Sequence, residues 1–189
     1  MTGEMTSKSG TDEGRLKIAI QKSGRLSEKS FTILEKAGIS LQKSKDQLLC
    51  QARNFPLDIF LVRDDDIPAF LVNNVCQLGI IGQNSLLEAQ SLEADVFGGL
   101  EQVINLGFGR CRLSLATPNG MPYDDVSSLA GKTIATSYRG LLSDFLVAKG
   151  VDADIVTMEG AVEVWRRAPI LPMPSVILSR PEAHLSRTV

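Results

Sequence analysis

Two cations flank a glycine in Gln21-Lys22-Ser23-Gly24-Arg25-Leu26-Ser27. The segment follows the apolar run LKIAI at 16–20, a first strand, so Lys22 and Arg25 fall in a strand-to-helix turn. Gly24 permits tight backbone geometry, and Ser27 is a good N-cap for a helix from Glu28 to Ala37. Cations beside a helix start suit phosphate; a plain turn with solvated cations fits the same spacing. Asp64, Asp65 and Asp66 form a second cluster, with Pro68 behind them. One aspartate is expected to cap a helix running to Asn74, with residues 69–72 inward. The others are free to meet a ligand hydroxyl, a Mg²⁺ ion or Arg63. Gly82-Gln83-Asn84-Ser85 opens another helix, whose free N–H groups can hold an anion. Thr136-Ser137-Tyr138-Arg139-Gly140 is a further strand-to-helix turn rich in donors.

These turns are placed by alternating elements. Residues 59–62 (IFLV) and 78–81 (LGII) read as buried strands, with the helix after Pro68 between them. Such a βαβ unit gives a parallel sheet, and ligand loops sit at the carboxyl ends of its strands. Residues 48–53 form another strand. Residues 85–90 read as helix and 96–101 as irregular. Residues 110–117 (RCRLSLAT) alternate, with Cys111, Leu113 and Leu115 on one face and Arg110, Arg112 and Ser114 on the other. A short helix at 124–130, a strand at 132–136, a helix at 141–149 closed by Gly150, and a strand at 154–158 follow. From Trp165 onward the rhythm ends, and Pro169, Pro172 and Pro174 argue against a regular helix or central strand.

The chain has 189 residues, 43% hydrophobic and 22% charged, with a net charge of −2. This is an ordinary globular composition, and the near-neutral charge argues against nucleic acid as the partner. There is no run of apolar residues long enough for a membrane span. Residues 1–14 are polar and mixed in charge, lack the apolar stretch of a signal peptide, and read as a disordered tail. Cys50, Cys76 and Cys111 are far apart, without a CxxC pair, and read as buried thiols in a reducing cytosol. His184 is the single histidine, which argues against a histidine-based triad or metal site.

Taken in order, IAIQKSGRLS (18–27), VRDDDIP (62–68), LGIIGQN (78–84), CRLSLATP (111–118), KTIATSY (132–138) and EGAVEV (159–164) resemble the long form of the ATP phosphoribosyltransferase family. The resemblance covers about four fifths of the chain. It implies an α/β fold of two lobes like a type II periplasmic binding protein, with substrates in the cleft and a third, histidine-binding regulatory domain. The implied lobes are residues 15–109 and 110–164, with an aberrant, unstructured tail at 165–189. The implied reaction is the first step of histidine biosynthesis, in which ATP displaces pyrophosphate from 5-phosphoribosyl 1-pyrophosphate (PRPP) with Mg²⁺ present. It implies a cytoplasmic enzyme that assembles as dimers and hexamers. By the same resemblance Lys22, Gly24 and Arg25 line the nucleotide cleft, and Asp64, Asp65, Asp66, Gly82 and Asn84 form the facing loops. Arg112, Tyr138 and Glu159 come from the second lobe. The chain departs from the family at Gln83, where Glu is frequent, and at Arg139, where Pro is frequent. An oxocarbenium-like ribose needs positioned charge rather than a covalent nucleophile, so the missing triad is no objection. A non-catalytic solute-binding module and a defective gene product are the other readings.

After Val164 the family continues into an acidic, Gly/Thr-rich PRPP-phosphate loop, and residues 165–189 contain no such segment. Moving the codons by one base makes Met173-Pro174 read as alanine without choice. Permitted third bases then turn residues 172–187 into D-A-I-C-D-L-V-S-T-G-G-T-L-E-S-N. A reading-frame shift near Trp165 is therefore expected; a truly divergent tail is the alternative. With the shift, the chain would be C-terminally truncated, lacking the phosphoribosyl loop, the return strands of the first lobe and the regulatory domain. It would then be poorly stable and without turnover.

Overall fold

The computed structural model describes residues 14–41, 48–117 and 120–158, and the backbone of a strand at 175–181. The expected tail at 1–14 lies almost wholly outside the described residues. The chain divides into two compact units between Ile80 and Ile81.

The first unit holds a four-stranded sheet of order β2-β3-β1-β4. Its strands are β1 (Leu16–Gln21), β2 (Leu49–Gln51), β3 (Leu57–Val62) and β4 (Leu78–Ile80). β1 runs parallel to both β3 and β4, and β2 pairs antiparallel with β3. Apolar β-branched runs make central strands, and Ala19, Ile20 and Ile59 have no exposure. Phe31 and Leu34 of helix α1 (Arg25–Lys36) cover this core. Beneath it, Arg15 donates to the carboxylate of the buried Asp58 at 2.8 Å and to the Leu57 carbonyl at 2.8 Å. β4 was expected to be a buried strand, but among the described residues no strand pairs on its far side, so it is an edge strand with Leu78 exposed.

Two helix starts differ from expectation. α1 begins at Arg25 rather than Glu28, because Gly24 adopts φ 95° and starts the turn earlier. Ser27 is therefore buried inside the helix, not its cap. Asp64–Asp66 form a single 3-10 turn leading into α2 (Ile67–Val72), and Asp66 makes no side-chain cap. α2 buries Ile67 and Pro68, with residues 69–72 only partly covered.

The second unit holds a sheet of order β5-β8-β6-β7. Its strands are β5 (Cys111–Ala116), β6 (Thr133–Thr136), β7 (Asp154–Thr157) and β8 (Ser175–Pro181). β6 is parallel to β7 and β8, and β5 is antiparallel to β8. β8 corrects the expected unstructured tail: the prolines at 169, 172 and 174 precede the strand, leaving its β-branched run free to pair. Leu129, Ile134, Leu142 and Leu146 form the core, with Leu113 and Leu115 packed on it. Cys50 and Cys76 are buried as expected, but Cys111, at the start of β5, is exposed. The helices are α3 (Gln83–Leu92), α4 (Ala94–Phe97) and α5 (Arg139–Lys149), the last closed by Gly150 in the left-handed conformation. α3 was expected in a lobe ending at residue 109. It belongs instead to the second unit, where it packs along α5.

Candidate functional site

In the first unit the sheet register fixes the site. Gln21 lies opposite Val62 in the parallel pairing, and the Lys22 N–H continues the ladder to the Val62 carbonyl at 2.7 Å. The turns after β1 and β3 therefore leave the sheet side by side, at the carboxyl ends of parallel strands. Lys22, Ser23, Gly24 and Arg25 are all exposed. α1 starts at Arg25 without a side-chain cap, since Gly24 has none to offer. Two cations and uncapped N–H groups thus occupy one turn, an arrangement that favours an anion. Beside them Asp64 is half-buried, while Asp65 and Asp66 point into solvent. The structure brings Lys22, Gly24, Arg25 and the three aspartates to one edge of this unit.

In the second unit α3 starts after Gly82, whose extended φ/ψ of −64° and 133° makes it the N-cap residue without a side chain to cap with. The Asn84 amide donates to the Cys111 sulfur at 3.1 Å. That contact holds the start of β5, and so the exposed Arg112 beside it, against the start of α3. Tyr138 is the N-cap residue of α5, half-buried, and its N–H donates to Thr136 Oγ1 at 2.8 Å. Glu159 lies outside the described residues.

The donor-rich turn at 136–140 is less open than its composition suggests. Glu88 of α3, 9% exposed, accepts the Gly140 N–H at 2.7 Å and the Leu141 N–H at 2.9 Å. An internal carboxylate thus fills the N-terminus of α5. The sequence reading missed Glu88; its one mark is being an acid four residues beyond Asn84, on the same side of α3.

The chain is similar in sequence and fold to known proteins. Residues 63–178 match the family model described as HisG: ATP phosphoribosyltransferase, which is more than half of the chain and runs past Val164. An ATP phosphoribosyltransferase of Stenotrophomonas maltophilia is 44% identical over 157 residues, covering 81% of this chain and 51% of that protein. One of Xylella fastidiosa is 45% identical over 155 residues, with the same coverage of 81% and 51%. The chain therefore spans about half the length of the curated relatives it matches. Among solved structures it is similar to the ATP phosphoribosyl transferase (HisG:HisZ) complex from Thermotoga maritima. The TM-score is 0.68 at 28% identity, covering 88% of this chain and 75% of that one. The α/β fold of two sheet units, the ordered motifs and these relatives agree: the chain belongs to the ATP phosphoribosyltransferase family.

Proposed function

We propose that this chain carries the substrate-binding residues for the reaction of ATP with PRPP, giving N1-(5-phosphoribosyl)-ATP and pyrophosphate, the first step of histidine biosynthesis. The observation that supports it most is the parallel register of β1 and β3, which sets Lys22, Gly24 and Arg25 beside Asp64–Asp66. In this reading Lys22, Arg25 and the uncapped start of α1 hold polyphosphate. The aspartates face ribose hydroxyls and the cation that accompanies the phosphates. In the second unit Gly82, Asn84, Arg112 and Tyr138 are the further substrate-binding candidates, and Glu159, the remaining one, lies outside the described residues.

Bond breaking at the ribose carbon develops positive charge there and negative charge on the leaving pyrophosphate. Positioned cations and N–H groups stabilise the second, and carboxylates the first. No side chain need form a covalent intermediate. Among the described residues no three of His, Cys, Asp and Glu come together as a metal cage. We therefore assign Mg²⁺ to the substrates, bound to their phosphates, as is usual for this ion.

The cytoplasm is the proposed compartment. Three thiols distributed without pairing suit a reducing environment, and among the described residues no helix is long and apolar enough to cross a membrane. As partners we propose ATP, PRPP and further copies of the chain; the Thermotoga maritima neighbour is itself described as a complex.

Thermal unfolding with Mg²⁺–ATP, PRPP, amino acids and sugars tests the reading. A ligand at 100 times its Kd adds about 2.7 kcal/mol, a rise of several degrees in Tm for a chain of this size. Stabilisation by ATP or PRPP is expected, with loss of the effect in the Lys22→Ala, Arg25→Ala double variant. Stabilisation by amino acids or sugars alone would overturn the reading in favour of a solute-binding module.

A further inference from the structure

The joint between α3 and α5 is more closely fitted than a plain helix contact. Glu88 caps α5 with both carboxylate oxygens, at 2.7 and 2.9 Å. One turn further along α3, the Ser91 hydroxyl bonds the Asp144 carboxylate at 2.6 Å. Between these contacts Gly140 lets the helices approach. A Cβ built there would stand 2.7 Å from Ser91 Oγ and 2.9 Å from Ser91 Cβ. Glu88 lies four residues after Asn84, and its bonds fall two and three residues after Tyr138.

We propose that Glu88 is a positioning residue for the substrate site. It fixes the turn carrying Tyr138 to the helix that starts at Gly82 and Asn84, so that two ligand-facing turns move as one body. It also supplies the anion that the N-terminus of α5 favours, closing that terminus to a substrate phosphate. Among the described residues, α1 and α3 still start without a side-chain cap, and the turn before α1 adds Lys22 and Arg25 to its free N–H groups. A carboxylate meets the geometric need, because two N–H donors converge on it and each oxygen accepts one. Glutamine in its place offers one oxygen and one NH₂ group, leaving a buried N–H facing a donor.

This inference rests on the proposed reading that Asn84 and Tyr138 face substrate, and the experiment separates the two. The 189-residue chain and its Glu88→Gln variant are compared by amide hydrogen exchange and, well below the melting temperature, by ATP and PRPP affinity. Glu88→Asp, which keeps the charge but shortens the reach, substitutes if Glu88→Gln fails to fold. The expected result is about tenfold faster exchange at Gly140 and Leu141, with Leu146 and Lys149 of the same helix unchanged, and about tenfold weaker binding by the folded variant. Unchanged exchange at Gly140 and Leu141 overturns the assignment whatever the ligand results. Faster exchange with undiminished affinity overturns the positioning role and reduces Glu88 to a stabilising contact. If the parent chain binds neither ATP nor PRPP, the functional reading falls, and with it Glu88's role toward substrate, while the exchange result still decides whether it sets the turn.

Discussion

Replacing Gly140 with alanine tests how tightly the α3–α5 joint is built. In an open helix this change is favourable by up to about 1 kcal/mol, since glycine is the poorer helix former. Here the new methyl would meet Ser91 Oγ at 2.7 Å, Ser91 Cβ at 2.9 Å and Leu92 Cγ at 3.2 Å. The hydroxyl can rotate away, at the loss of its bond to Asp144, worth about 0.5–1.5 kcal/mol. The Ser91 Cβ is fixed to the α3 backbone, so the helices must separate, and overpacking of this kind costs about 1–3 kcal/mol. Subtracting the propensity gain leaves a net destabilisation of about 1–3 kcal/mol. Urea unfolding followed by circular dichroism should show it as a midpoint lowered by roughly 0.5–1.5 M for an m-value near 2 kcal/mol/M. Adding Ser91→Gly removes the obstructing atoms, so the double variant should lose less than the two single changes together, by about 1 kcal/mol or more. A Gly140→Ala chain as stable as its parent, or strictly additive costs, would refute the reasoning.

Two further outcomes follow from burial. Ile20 has no exposure and sits between Leu61 and Ile80 in the register of the first sheet; Ile20→Ala should cost about 2–5 kcal/mol in urea unfolding. Burial pushes the Cys76 thiol above its ordinary value of 9.0, against a smaller lowering by the Lys17 charge. The unfolded chain therefore loses this proton first, so the thiol's contribution is complete below pH 9 and is lost as pH rises from there through the folded value. Urea midpoints measured from pH 8 to 10.5 should fall more steeply for the parent than for Cys76→Ala; equal slopes would contradict the shift.

What could be read from the sequence was what short range decides. The runs at 16–20 and 59–62 are apolar and β-branched over a strand's length, and they became β1 and β3 at the centre of a sheet. In the turns after them Lys22, Arg25, Asp65 and Asp66 are exposed, as charged residues in a surface turn are expected to be. What was not legible depends on partners far along the chain. Glu88 looks like any helical surface acid, because the N–H groups that bury it are 52 and 53 residues away. Cys111 falls in phase with Leu113 and Leu115, yet it begins its strand, where the core no longer reaches. β8 was hidden by the prolines around it, although SVIL has the composition of a strand. At Asp66 the side-chain rule for caps pointed to a bond that residue does not make, because Ile67 and Pro68 continue directly from a 3-10 turn.

The two units hold the turns proposed to face substrate by different means, and the difference bears on which substitutions matter. In the first, the turns leave adjacent parallel strands, and the backbone bond from Lys22 to Val62 sets their spacing. No side chain is needed for that spacing, so Lys22→Ala should remove a charge and leave the turn in place. In the second, the turn before α5 is held by Glu88 from another helix, and the helices are close because position 140 carries no side chain. There the geometry does depend on side chains, and on ones with no contact to substrate in the proposed reaction. For chemistry that proceeds by charge placement rather than through a nucleophile, an error of 1 Å in a supporting residue can cost as much as the loss of a contacting one. Loss of function is therefore expected to extend inward from the exposed turns to Glu88 and Gly140 in the second unit, and to remain at the exposed side chains in the first.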